Sequence, residues 1–257
     1  MKACILQLYT LGINDSRISQ YLSAAKSRGA SLVLIGEYII NSFFTDMLTI
    51  PTSILREQTH IKRLILEELA KKHELTIVVP MVIFRGDKPF KVVAKFTPNA
   101  FESVEQTALI NYPHWDEAAF FANKNRDFKF MNFKIDGFKF AVMFGFETHF
   151  DKAWIELMKL RPDCVLVPTA CTLNSIARWN ALLVTRAFTN NVYILRANRL
   201  GKAKFEEAES EFYGNSMLVD PNGLIVDSLE GNEGLLICDI SKEMLTNAKN
   251  MWKFSFF

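Results

Sequence analysis

Charge imbalance, close cysteine pairs and flexible low-complexity stretches are all scarce in this chain. Its 30 basic and 28 acidic residues leave a formal net charge of only +2. They are scattered, so no basic stripe exists to track a phosphate backbone, and nucleic acid is not an expected partner. The four cysteines, Cys4, Cys164, Cys171 and Cys238, stand far apart. They lack both the short spacings of a zinc site and the density of a disulfide scaffold, so reduced thiols in a cytoplasmic protein are expected. His60, His73, His114 and His149 show no metal-ligand spacing either, and no metal or cofactor is expected. No apolar run approaches the roughly 18 residues a membrane span needs. Met1 to Leu11 runs into a polar segment without a small-residue cleavage pattern, so neither a leader nor a membrane is expected. Without a Gly-, Ser- or Pro-rich linker or an internal repeat, a single domain over residues 1–257 is the economical reading.

What the chain does have is apolar residues, 49% of the total, enough for a substantial core. Their spacing alternates between two periods. Ala3 to Leu8 and Ser31 to Ile35 read as buried strands. Between them Ile18, Tyr21, Leu22 and Ala25 fall at helical spacing, opened by Asn14 or Asp15 and closed by Gly29. A longer helix carrying Ile61, Leu64, Ile65 and Leu69 leads to the apolar run Leu75 to Val79. This β-α-β-α-β order calls for buried strands with helices outside them.

Val92 to Phe96 and Ala100 to Val104 read as a hairpin about Thr97-Pro98-Asn99. Phe138 to Phe144, Cys164 to Val167 and Val192 to Arg196 are further strands. They alternate with a helix capped by Asp151 and carrying Trp154, Leu157 and Met158, and with a helix over Trp179 to Phe188. Asn215 to Val219 and Leu224 to Ser228 flank the turn Asp220-Pro221-Asn222-Gly223, and Gly234 to Ile240 adds a last strand. Two sheets with helices on both outer faces use every segment. Glu206 to Glu211 reads as a solvated helix or loop. Residues 241–257 form a tail whose Trp252, Phe254, Phe256 and Phe257 are too apolar to stay in water. The tail should dock on its own domain or across a subunit interface.

Several segments, in order, resemble the nitrilase or carbon-nitrogen hydrolase superfamily. They are Leu32-Val33-Leu34-Ile35-Gly36-Glu37, Trp115 to Phe121, Phe138 to Glu147, and Val167-Pro168. Trp179, Arg186-Ala187 with Asn190, Ala197-Asn198-Arg199 with Gly201, Phe212 to Ser216 and Asp220-Pro221-Asn222-Gly223 follow with similar spacing. The resemblance implies a four-layer α-β-β-α sandwich with two mixed sheets, in dimers or larger homo-oligomers. It also implies a cysteine nucleophile, a glutamate base, a stabilising lysine and a second, orienting glutamate. Such chemistry suits hydrolysis of an unactivated amide or nitrile, which needs an activated nucleophile and donors for the developing charge.

Carried onto this chain, Glu37 matches the base and Glu117 the orienting acid. Gly145, in Phe144-Gly145-Phe146-Glu147, stands at the nucleophile's position. The lysine is expected near Leu109 to Tyr112, yet none occurs between Lys95 and Lys124. Removing a nucleophile typically costs on the order of a millionfold in rate, so the expectation is a catalytically silent relative with a pocket for a small amide or amine. Phe146, Glu147, Cys171 and Asn198 are the candidate lining residues. A hydrolase with a relocated nucleophile, Cys171, is the first alternative, and an oligomeric assembly module is the second. Thr148 and His149 read as helix initiation and packing, Arg186 and Asn190 as structural, and Arg199 as either loop support or pocket lining.

Overall fold

A computed structural model describes residues 1–172, 174–204 and 209–254. The first sheet has the order β16-β1-β2-β3-β4-β5, built from β1 (Lys2–Gln7), β2 (Ala30–Ile35), β3 (Thr76–Arg85), β4 (Lys88–Phe96), β5 (Phe101–Glu105) and β16 (Gly234–Asp239). Here β1, β2 and β3 are parallel, while β4, β5 and β16 run antiparallel to their neighbours. The second sheet has the order β15-β14-β11-β10-β9-β8, from β8 (Met131–Ile135), β9 (Phe138–Val142), β10 (Cys164–Pro168), β11 (Tyr193–Ala197), β14 (Met217–Val219) and β15 (Ile225–Ser228). Its central β9, β10 and β11 are parallel. Two short ribbons stand outside the sheets: β6 (Asn111–Tyr112) with β7 (Trp115–Asp116), and β12 (Leu200–Lys204) with β13 (Glu209–Tyr213).

The four layers follow from alternation along the strands. Ala3 and Ile5 of β1, with Leu32 and Leu34 of β2, face the other sheet and pack with Phe140, Leu166 and Leu195. The intervening Cys4, Leu6, Val33 and Ile35 face outward. They cover α1 (Arg17–Ser27) through Ile18, Leu22 and Ala25, and α3 (Thr52–His73) through Leu66, Leu69 and Ala70. On the opposite side Val165, Val167 and Ile194 pack against α5 (Asp151–Met158) and α6 (Ile176–Asn190) through Trp154, Leu157, Leu183 and Ala187. Each fully buried Leu or Ile contributes about 1.5–3 kcal/mol, so three stacked cores hold the sandwich. The short helices α2 (Phe44–Met47) and α4 (Glu117–Phe120) lie among the loops, where Tyr38, Phe43, Trp115, Phe121 and Phe212 form a fourth cluster.

Three expectations shift. The strand read as Leu75 to Val79 continues to Arg85, because its second half pairs with β4 in a long hairpin. Within α3, Leu64 is exposed and Leu55 and Leu66 are buried, so the buried stripe is rotated from the one read in the sequence. Glu209 to Glu211 belong to strand β13, whereas 206–208 lie outside the described residues.

Most of the tail is helix α7 (Lys242–Trp252), docked on its own domain through Leu245 and Ala248. Asp163 pairs there with Lys242 at 2.5 Å and Lys249 at 3.3 Å. Trp252 and Phe254 stack on each other and stay exposed, while Phe256 and Phe257 lie outside the described residues. Arg186 pairs with Asp151, tying α6 to α5, and Asn190 donates to the Arg186 carbonyl. No helix among the described residues is long and apolar enough to cross a membrane.

Candidate active site

The carboxyl ends of β2, β9, β10 and β11 converge, the usual location of a site built on parallel strands. Their approach is close: a Cβ on Gly36, just after β2, would lie 3.0 Å from the Asn198 carbonyl just after β11. Only glycine lets the two sheets meet there without displacing backbone. The next residue, Glu37, is thereby carried between the sheets, with its N–H donating to the Thr169 carbonyl.

Glu37 and Glu117 are brought together, and a lysine stands between them. Lys91 Nζ lies 2.5 Å from Glu37 Oε2 and 2.7 Å from Glu117 Oε1, with all three side chains buried. The Tyr38 hydroxyl donates to Glu117 Oε1, and Ile110 N–H donates to Oε2 at 3.4 Å. The Tyr38 and Phe144 rings flank the ammonium, 4.7 and 5.5 Å from their centroids. Two carboxyls and one ammonium out of water leave an excess negative charge unless one acid binds a proton. Burial lifts Glu37 to about 7, opposed by Lys91 and reinforced by Glu117, with the Gly145 N–H also bonding its carboxylate. Burial alone would disfavour the Lys91 ammonium, but Glu117 and Glu37 outweigh it and the lysine is held above its usual range.

The expectation that the site has no lysine is therefore corrected. The cation comes not from Leu109 to Tyr112 but from β4, 26 residues before Glu117 in the chain. Lys91, Val93 and Lys95 alternate onto one face of β4. Val93 belongs to the core between the sheets, which shows that this face points inward.

Gly145 does lie beside Glu37, and the space a side chain would need there is taken. A Cβ at 145 would come 2.6 Å from Thr169 Cγ2 and 3.2 Å from Thr169 Cβ. Thr169 is fixed in that orientation. Its Oγ1 donates to the Ala197 carbonyl at 3.2 Å and accepts from Arg196 Nε at 3.3 Å.

Cys171 also borders the cavity. Burial pushes its thiol above the ordinary range. Arg196, through charge and a hydrogen bond, opposes that rise, and the Glu37 charge adds to it. The thiol is thus kept protonated and is a weak nucleophile.

Phe146 lines the cavity, but two other candidates do not. Glu147 turns away from it. Its Oε1 accepts from the N–H groups of Thr107 (2.7 Å) and Ala108 (3.1 Å), and its Oε2 from Phe144 N–H. It anchors the segment after β5, and burial raises it to about 7 against those three bonds. Asn198 supports the loop: its Oδ1 accepts from Cys171 N–H and its Nδ2 donates to the Gly214 carbonyl. Arg199 is likewise loop support, donating to the Tyr38 carbonyl and Thr10 Oγ1. Thr148 donates to the Gly145 carbonyl and closes the helical turn.

The cavity has a volume of about 190 Å³. Glu37, Gly145, Thr169 and Cys171 form its buried floor, and exposed Tyr112, His114, His149 and Arg178 its mouth. His149, expected to pack, does lie against Phe146 and Trp179 at this mouth, while Lys91 and Thr169 lie in no sequence motif that singles them out as site residues. No three His, Cys, Asp or Glu side chains among the described residues are grouped to hold a metal ion.

The four-layer sandwich of two mixed sheets defines the class of fold. The sequence profile of the carbon-nitrogen hydrolase family matches residues 10–250, and the chain belongs to that family. It is similar to the N-carbamoylputrescine amidase of Arabidopsis thaliana, 22% identical over 94% of this chain and 86% of that protein. It is also similar to the deaminated glutathione amidase of Dictyostelium discoideum, 25% identical over 43% of this chain, a match spanning 38% of that relative's length. A carbon-nitrogen hydrolase from Helicobacter pylori G27 superposes with a TM-score of 0.86 at 16% identity, covering 99% of this chain and 94% of that one.

Proposed function

We propose that this chain is a non-hydrolysing carbon-nitrogen hydrolase relative that binds a small amide in the cavity above Glu37. The observation that carries this reading is the 2.6 Å approach between a Cβ at Gly145 and Thr169 Cγ2. The nucleophile's place is not only vacant of sulfur but filled by a neighbour's methyl group. What remains is a recognition apparatus. The Glu37 carboxyl faces the cavity and accepts an amide N–H or, protonated, donates to a carbonyl, with Lys91 directly behind it. A site without its nucleophile retains only the modest rate gain that binding and charge stabilisation provide.

The test combines turnover and binding. Incubation with primary amides, N-carbamoyl amines and nitriles should release no ammonia above background, while butyramide should give a saturable calorimetric titration. Ammonia release abolished by thiol alkylation would reject the reading.

One observation favours a second reading, in which the chain is a hydrolase using Cys171: this thiol borders the same cavity as Glu37 and has the Arg196 guanidinium beside it. A thiolate formed there on ligand binding would be stabilised by that guanidinium. Cys171→Ala separates the readings, since it removes all turnover in the second and has none to remove in the first.

A further inference from the structure

The mouth of the cavity is a continuous arc of rings. Tyr112 stacks on His114, with centroids 5.8 Å apart and planes 22° from parallel, and meets Phe146 edge-on at 5.7 Å. Phe146 lies 6.1 Å from His149, and His149 stands edge-on to Trp179 at 5.0 Å. All five rings line the cavity. They come from three separate segments: the β6–β7 ribbon, the 3-10 turn Gly145–His149 and helix α6. Rings gathered from distant parts of the chain around one opening form a surface that a planar π system fits by stacking or edge contact.

Charge decides what kind of group suits this mouth. Ring faces also attract an alkylammonium. Here, however, the only carboxylate among the described lining residues is Glu37 on the floor, and the charged side chain at the mouth is Arg178. An ammonium held among these rings would face a guanidinium with no acid to offset it, whereas a neutral aromatic group has no such penalty.

We propose that the mouth is a subsite for a planar aromatic substituent, so that the ligand is an aryl or heteroaryl carboxamide rather than an alkyl or aminoalkyl amide. The inference rests on the amide-binding reading above: the carboxamide sits at Glu37, and its ring lies between Tyr112 or Phe146 on one side and Trp179 on the other.

Calorimetric titration of the intact protein with benzamide, butyramide and 4-aminobutyramide tests it. Two additional aromatic contacts predict benzamide binding about tenfold tighter than butyramide. The 4-aminobutyramide should bind most weakly. Tyr112→Leu and, at an independent ring, His149→Leu should each reduce the benzamide-to-butyramide ratio toward one, with melting temperatures confirming that the variants fold. Equal affinities, tighter binding of 4-aminobutyramide, or a ratio untouched in both variants would overturn the aromatic subsite and leave the amide-binding reading standing. No binding of any of the three amides would overturn both.

Discussion

Thr169 presses its γ-methyl into the space beside Gly145, where a Cβ would come within 2.6 Å of it. A cysteine restored at 145 therefore meets an occupied position, and Gly145→Cys should destabilise the protein by about 1–3 kcal/mol, the usual cost of overpacking. Thr169→Ser deletes the obstructing methyl and keeps the hydroxyl that serves Ala197 and Arg196. The double variant should recover most of that loss and acquire amide hydrolysis sensitive to iodoacetamide. Thermal melts and ammonia release on the two single variants and the double variant measure both effects, and additive single effects would show that the residues do not compete for space.

Among the described residues, Lys91 is the cation paired with Glu37 in the buried cluster. Replacing it by methionine strands two buried acids, a change that typically costs about 3–5 kcal/mol. For a domain of this size the melting temperature should fall on the order of 10 °C. Adding Glu37→Gln to Lys91→Met should restore part of that loss, because one of the stranded charges is then gone. Butyramide binding should be lost in Lys91→Met.

Glu37 and Glu147 are both lifted by burial from the ordinary range near 4.5 to about 7. The folded protein thus holds protons that the unfolded chain releases between those values. Their contribution to stability is fully present below about pH 4.5 and is lost as pH rises through 7, on the order of 3 kcal/mol for each group. Asp15 and Asp163, held below their usual range, act at lower pH and in the opposite sense. Melting temperatures at constant ionic strength should decline from pH 5 to pH 8, and Glu37→Gln should make that decline shallower.

Cys171→Ala removes a buried thiol hydrogen-bonded to Arg196 and leaves the backbone N–H of residue 171 donating to Asn198 Oδ1. Stability should fall by only about 1 kcal/mol, the scale of one small buried group and one weak hydrogen bond. The variant should titrate with butyramide as the parent does. A simultaneous loss of a measurable hydrolytic rate would instead establish the thiol as a nucleophile.

Beyond the docked face of α7, Met251 is 72% exposed and Trp252 and Phe254 are about half exposed. Such a patch favours burial against a second copy of the chain. A chain ending after Asn250 should sediment as a smaller species than the full-length protein, and an unchanged sedimentation coefficient would exclude the tail from any assembly.

The architecture was legible because alternation along β1 and β2 and helical spacing in α1 each encode which face is buried. Glu37 and Gly145 stood out only through the resemblance of their strand ends to the family's segments. Lys91 did not, because the family pattern puts its lysine just before Glu117 while this ammonium arrives from β4. A signal was nevertheless present: Lys91 and Lys95 share a face of β4 with Val93, an inward core residue, and a lysine directed into a core is seldom there for solubility. The role of Thr169 was illegible in principle, since no local pattern records that one residue's methyl fills another's missing side chain. Glu147 and Asn198 were misplaced for a related reason. Adjacency in sequence to lining residues does not say which way a side chain turns, and both turn toward backbone amides instead.

The arrival of the ammonium along β4 carries a further consequence. The ammonium is held by where its two carboxyl neighbours stand in space, not by nearness in the chain, and it reaches them from β4. The stretch from Gln106 to Trp115 is thereby relieved of supplying a cation and left to shape the opening through which guests pass.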